Sequence, residues 1–331
     1  MAQLVLGVGT SHSPMVSMDG PDWLSWGERD HAHQMLYTRD GRNITYEEAL
    51  ELSTPELAAR AEPDACVDGA VSVAAAVERL RAEVADANLD ALIVIGDDQS
   101  EHLLGKNLPP FMIYWGDTIT NGTVPPNLDE MAPMMQHFLP SYYEVEGEQS
   151  YPVEVALARH LITTAFDEGF DVATSNELPE ERGMGHAFGF PMRFIAQRID
   201  LPVVPVMVNT YHPPAQPRSA RCLAFGEMVR RAVDSYPGDA RIGLLASGGL
   251  SHFMVLEDLD REVLAHLAEH NLDALCAIPE ATLQSGTSEI KNWIAAAGAL
   301  NDFKFELVDY VPGYRTPAGS GTGLAFALWT R

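Results

Sequence analysis

The chain has 331 residues, 46% of them hydrophobic, which is enough for a sizeable globular core. Its formal net charge is −26, from 47 acidic and 21 basic residues, a balance that repels nucleic acid phosphates and anionic membranes. No apolar run approaches the ~18 residues of a membrane span, the N-terminus lacks a signal peptide's basic region, and Cys66, Cys222 and Cys276 form no C-x-x-C pair, so neither a disulfide scaffold nor a thiolate zinc site is expected and a reducing cytoplasm is the expected compartment.

In chain order, the apolar run at 5–8 predicts a buried strand that ends in the small, polar loop Gly9-Thr10-Ser11-His12-Ser13-Pro14. Residues 17–62 are rich in Trp, Asp, Arg and Gly, with a turn signal at Asp40-Gly41 and a helix opening at Tyr46. They read as an elaboration lying over the strand ends. Helical spacing covers 69–87, and 90–96 is a continuous apolar strand of the kind found inside a parallel or mixed sheet. That strand ends in Asp97-Asp98-Gln99-Ser100-Glu101-His102.

Further strands are expected at 111–114, 170–173, 202–208 and 241–246, with helices at 153–166 and 219–235. An acidic loop leads to Gly183-Met184-Gly185-His186. The strand at 202–208 runs into Asn209-Thr210-Tyr211-His212-Pro213-Pro214, and that at 241–246 into Ser247-Gly248-Gly249-Leu250-Ser251-His252. Helices follow at 258–269 and 288–297, with Gly298 as the stop. Closing strands fall at 303–310 and 324–329, the second approached through a flexible Gly319–323 segment. The alternation of strand and helix predicts an α/β fold: a single domain over 1–331, with a central mixed, largely parallel sheet covered by helices on both faces.

Apolar strands that end in loops carrying histidine or carboxylate recur along the chain. The loops hold His12, the segment 97–102, His212 and His252. In open α/β sheets the carboxyl ends of the strands form the ligand crevice, so these loops converge. Neutral imidazole ligates iron, copper and zinc, and it also moves protons near neutral pH. Two histidines and a carboxylate with open positions is the arrangement of non-haem Fe(II) oxygenases. A single histidine after a strand is more often a hydrogen-bonded loop residue. Small neighbours around His12 and before His252 favour function there, because they let backbone and metal approach closely. His31, His33, His137, His160, His266 and His270 lack such neighbours and read as structural or surface groups.

At these residues the sequence resembles the class III extradiol dioxygenases, the family of the catalytic beta subunit of protocatechuate 4,5-dioxygenase. The similar segments, in order, are Thr10-Ser11-His12-Ser13-Pro14, Gly185-His186 with Pro191, 209–214, 247–252 and 285–293. The resemblance implies that His12 and Glu289 ligate Fe(II), that His252 is the catalytic acid–base residue, and that His186 stabilises bound substrate or oxygen. The family's second histidine ligand falls on Gln99 here, with Glu101 and His102 as substitutes close in the chain. His212 and Asp98 are candidate substrate contacts.

The implied reaction is extradiol (meta) ring cleavage of a catechol-type aromatic diol, with both atoms of O₂ retained. Two rivals stay open. One is a non-redox metalloenzyme on the same fold, holding zinc or manganese and running hydrolase-like chemistry. The other is a binding protein with a degenerate metal site. The expected assembly is a homo-oligomer, with or without a small lid subunit, and no nucleic acid or membrane partner. Trp23, Tyr37, Tyr114 and Trp115 are candidate pocket aromatics with packing as the simpler reading, and the 17–62 elaboration and the Tyr142-Tyr143 loop are where specificity is expected to be set.

Overall fold

The computed structural model describes residues 1–105, 107–179 and 183–331; positions 180–182 of the acidic loop lie outside the described residues. The strands of the main sheet are β1 (Gln3–Thr10), β2 (Ala91–Gly96), β3 (Phe111–Tyr114), β4 (Ala173–Ser175), β5 (Val203–Val208), β6 (Arg241–Ser247), β7 (His252–Met254), β8 (Lys304–Tyr314) and β9 (Ser320–Thr330). They form one nine-stranded sheet in the order β7-β9-β1-β6-β2-β5-β3-β4, with β8 paired to β9. The inner strands β1, β6, β2 and β5 run parallel, while β3 is antiparallel to β5 and β9 is antiparallel to β1. The sheet is therefore mixed, as expected, with its parallel part at the centre.

Every residue of β2 and β5 is buried. Their side chains alternate between two apolar layers, as a period of two requires. Ile93, Ile95, Val204 and Val206 enter one layer, and Leu92, Val94, Val203 and Met207 the other. Helix α1 (Pro63–Asp86) and the short α3 (His186–Phe190) cover the second layer. Helices α2 (Val155–Asp167), α4 (Ser219–Ser235), α5 (Glu257–Ala268) and α6 (Ile290–Ala299) cover the first.

Three local expectations are revised. Phe170 and Val172 pack into the core as loop residues, and the strand starts only at Ala173, because Gly169 turns the chain at φ +78° just after α2. Gly298 does not stop a helix. It lies inside α6, where a Cβ would come 2.3 Å from the Leu223 carbonyl oxygen, so the residue serves close packing against α4. The glycines at 319–323 are mostly strand rather than flexible approach: β9 begins at Ser320, and a Cβ on Gly321 or Gly323 would lie 2.0 Å from the Gly313 carbonyl or from Asp260 Oδ2. Bare backbone is what lets β9 pass between its neighbours.

Candidate metal and acid–base centre

The carboxyl ends of β1, β2, β5 and β6 open into one cavity of about 660 Å³. Parallel register pairs Thr10 with Ser247, so the loops after β1 and β6 leave the sheet side by side. This places His12 Nδ1 2.9 Å from Ser247 Oγ. The ring is almost fully buried, and its Nε2 faces Glu289 Oε2 at 3.3 Å and Asp97 Oδ1 at 3.8 Å. Burial holds the His12 pKa below its ordinary value, against the pull of the nearby Glu289 carboxylate.

Glu289 enters from a turn of 3-10 helix (Ser285–Glu289) that leads into α6. Its Oε2 accepts the Gly249 N–H at 2.8 Å and lies 3.7 Å from His252 Nε2, while Tyr211 donates its hydroxyl to Oε1 at 3.4 Å. Burial would raise this carboxyl, but the imidazoles of His252 and His12 hold it down at about 2. His252 follows the glycine pair. Its main chain is clasped by Thr287, whose Oγ1 accepts the His252 N–H at 2.9 Å and donates to the His252 carbonyl at 2.6 Å. Nδ1–H donates to the Leu250 carbonyl at 3.0 Å, which fixes the tautomer and leaves Nε2 free in the cavity wall. Burial lowers the pKa of this ring too.

His186 opens α3 on the opposite wall. Its ring stands edge-on to His12 with centroids 4.5 Å apart. The Nδ1–H donates to Glu101 at 2.7 Å, and Glu101 also takes the His186 backbone N–H at 2.8 Å. Burial opposes a charged ring here, but Glu101 overrides it and lifts the His186 pKa to about 10, while Glu101 falls to about 2.

Of the candidates at 99–102, Gln99 lines the cavity with its amide nitrogen 3.3 Å from His186 Nε2. Glu101 is committed to His186. His102 turns away and donates Nε2–H to the Gly183 carbonyl at 3.2 Å. Asp98 organises its loop, accepting the backbone N–H groups of Ser100, His102 and Leu103 at 2.9, 2.7 and 3.1 Å. His212 lies behind it, 3.9 Å from Asp98 Oδ2. Neither Asp98 nor His212 is among the cavity-lining residues.

The residue the sequence reading passed over is Asp97. It is 1% exposed, and its Oδ2 has no hydrogen-bond partner among the described residues. Burial and the nearby Glu289 charge push its carboxyl well above the usual range. The signal was present as the first polar residue after a wholly apolar strand, next to a more conspicuous Asp98. His12, Asp97 and His186 each present a ligand atom, and these atoms lie within 4.8 Å of one another. A buried carboxylate oxygen without a donor, beside imidazole nitrogens, fits a divalent cation. The group can hold a metal.

The outer wall comes largely from the 17–62 elaboration, with Trp26, Arg29, His33 and Met35 facing the cavity. His33, expected to be structural, lies against Phe253 with centroids 3.9 Å apart, whereas His31 stacks on Tyr46 as a packing group. Trp23, Tyr37, Tyr114 and Trp115 do not line the cavity; its aromatic lining includes Phe138, Tyr142, Tyr143, Tyr211 and Phe253. Trp23 and Tyr114 are buried in the core.

Behind the His252 loop sits a second buried carboxylate. Asp260 accepts the Ser251 N–H at 2.8 Å and the hydroxyls of Ser251 and Tyr310 at 2.7 Å each. Burial raises its pKa from 3.8 to about 6. The folded value lies above the unfolded one, so the native chain holds this proton more tightly. The contribution is complete below about pH 4 and is lost as pH rises to about 6. At ~1.4 kcal/mol per pKa unit, ionised Asp260 costs about 3 kcal/mol. Between pH 4 and 6.5 the stability difference between Asp260→Asn and wild type should shift by about 2 kcal/mol in the variant's favour, as read by urea unfolding. A pH-independent difference would mean that Asp260 titrates normally.

Residues 73–325 match the profile for the catalytic LigB subunit of aromatic ring-opening dioxygenase, and the chain belongs to that family. Among curated relatives it is 30% identical over 186 residues to a 2,3-dihydroxyphenylpropionate/2,3-dihydroxicinnamic acid 1,2-dioxygenase of Comamonas testosteroni, covering 56% of this chain and 50% of that one. It is 31% identical over 100 residues to a gallate dioxygenase of Pseudomonas putida, covering 29% of this chain and 28% of that one. The matches thus span about half, or less, of those relatives' length. A solved structure of an uncharacterized protein from Escherichia coli K12 superposes with a TM-score of 0.46 at 13% identity, covering 76% of this chain and 91% of that one. Among the described residues no helix is long and apolar enough to cross a membrane.

Proposed function

We propose that this chain cleaves the ring of an aromatic ortho-diol beside its two hydroxyls, using O₂ and a mononuclear Fe(II). The observation that carries this reading is the meeting of His12, Glu289 and His252 at the floor of one cavity, in a chain of the ring-opening dioxygenase family. Fe(II), when bound, supplies electrons and a Lewis-acidic anchor. His12 and Glu289 hold it.

His252 handles the protons. Its Nε2 takes the proton of a substrate hydroxyl and returns it as the O–O bond breaks, while the Leu250 carbonyl keeps the other nitrogen protonated. Tyr211 steadies Glu289. The cavity wall orients the ring and excludes water. The balance is one diol plus one O₂ giving one open-chain product: one ring C–C bond breaks, and both oxygen atoms are retained.

Anaerobically purified protein loaded with Fe(II) should consume one O₂ per diol and form a coloured ring-opened product. Zinc-loaded protein that hydrolyses a substrate without O₂ uptake would overturn the reading in favour of a non-redox enzyme. A chain that binds neither metal would point to a binding protein.

The substrate we propose carries an anionic group. Arg29 faces the cavity, and among the described residues it has no hydrogen-bond or ion-pair partner, in a chain with more than twice as many acids as bases. The two relatives named above act, by their names, on hydroxylated aromatic acids. A charge-assisted hydrogen bond of ~1.5–3 kcal/mol corresponds to roughly 10–100-fold in KM. Arg29→Met should therefore raise KM for 2,3-dihydroxyphenylpropionate or gallate by that factor and leave catechol unchanged. An equal change for catechol would remove Arg29 from substrate recognition.

A further inference from the structure

In the family this chain resembles, a histidine at position 99 would be the second imidazole ligand, and here the residue is glutamine. We infer that His186 supplies the missing imidazole, with Asp97 as its carboxylate neighbour on the metal, and that Gln99 is not a ligand. The inference rests on the metal site proposed above and names donors that the resemblance does not.

Three observations carry it. First, the compact group of potential donors is His12, Asp97 and His186, with ligand atoms all within 4.8 Å of one another. That is two imidazoles and a carboxylate, the donor chemistry of mononuclear Fe(II) sites, assembled from different positions. Second, His186 is arranged as metal-binding histidines are. One ring nitrogen is held by a carboxylate, Glu101, at 2.7 Å, and the other, Nε2, points inward, 3.7 Å from Asp97 Oδ2, where a bound cation would take the place of the ring's second proton. Third, that same Asp97 Oδ2 is buried and unpartnered among the described residues. A carboxylate oxygen in such a place lacks only a cation.

Gln99 shows the contrary features. It is exposed at the cavity wall, and its amide approaches His186 at 3.3 Å rather than His12 or Glu289. An amide there suits a neighbour to the imidazole. Glu289, 3.3 Å from His12 Nε2, completes the set from the other side. The protein would thus keep a histidine-rich site after losing a ligand, by drawing inward a histidine that in the resemblance serves the substrate.

The test is equilibrium binding of Co(II) and Fe(II) to the full chain under argon, with pulsed EPR of the Cu(II)-loaded protein to count coordinated imidazoles. Gln99→Ala should bind within about 3-fold of wild type. Glu101→Gln should lose about 10–100-fold, the usual effect of removing such a supporting carboxylate. Asp97→Asn and His186→Ala should lose more, and the imidazole count should fall from two to one in His186→Ala. Glu101→Gln changes charge without volume, so it remains readable if His186→Ala does not fold. Wild-type affinity in His186→Ala, or loss of metal in Gln99→Ala, would overturn the inference while leaving the metal centre standing. Failure of the wild-type chain to bind any of these ions would bring down the metal centre itself, and this inference with it.

Discussion

On the proposed function, His252→Ala is expected to lower kcat by about 10²–10⁴-fold with bound iron unchanged, because that reading makes His252 a proton-transfer group and not a ligand. The geometry separates the two roles. Glu289 Oε2 approaches His12 Nε2 at 3.3 Å and so adjoins the donor group of His12, Asp97 and His186, whereas His252 Nε2 lies on the cavity side, 3.7 Å from Glu289 Oε2 and outside that group. Its backbone is clasped by Thr287 and its Nδ1 by Leu250, so the ring is presented in one orientation and one tautomer. Truncation to alanine leaves those backbone bonds in place. The check is metal content by mass spectrometry beside steady-state O₂ uptake. An iron-free His252→Ala protein would make His252 a ligand and return the acid–base role to another group.

The largest expected effect on folding is at Gly226. Helices α4 and α6 pack so closely that a Cβ on Gly226 would sit 1.7 Å from the Ala295 carbonyl oxygen. Backbone cannot swing aside as a side chain does. Gly226→Ala should therefore cost about 3 kcal/mol, the upper end of the usual range for overpacking, by forcing two buried helices apart. At ~2–4 °C per kcal/mol this is a fall of about 6 °C or more in Tm. The helix pair also carries the turn that delivers Glu289, so metal affinity should weaken in the same variant. A Tm within about 1 °C of wild type would show that the pair separates at little cost.

Much of the scaffold was legible because apolar runs such as 90–96 and 202–208 are too short for helices and stop at polar residues. Those stops marked the strand ends, and hence the loops holding His12 and His252. The misses have a common cause in tertiary contact. Gly298 reads as a helix stop until the α4 backbone is seen pressed against it. Asp260 falls in the helix expected at 258–269, where nothing in the sequence sets it apart, yet it is fully buried under Tyr310 and Ser251. The segment 97–102 shows several polar side chains with no sign of which way each turns. Three of them take up local tasks: Asp98 caps its loop, His102 meets Gly183, and Glu101 meets His186. Asp97 is left facing inward, its Oδ2 without a donor among the described residues. Arg29 is legible as a charge but not as one without an acid partner among the described residues, which is a property of the folded neighbourhood.

The Asp30–Arg315 pair has a wider consequence. Asp30, in the cavity wall, accepts from Arg315 Nε at 3.0 Å and from Ser320 Oγ at 2.6 Å. Through this buried clamp the 17–62 excursion is fastened to the β8–β9 hairpin, while the side chains proposed to handle protons and hold the metal stand on the loops after β1, β2 and β6 and at the starts of α3 and α6. On the proposed function, the residues that meet the substrate and those that carry the chemistry thus stand on different stretches of chain. On that reading, an excursion that keeps the clamp could differ in the substrate it accepts while the metal and acid–base groups stay as they are.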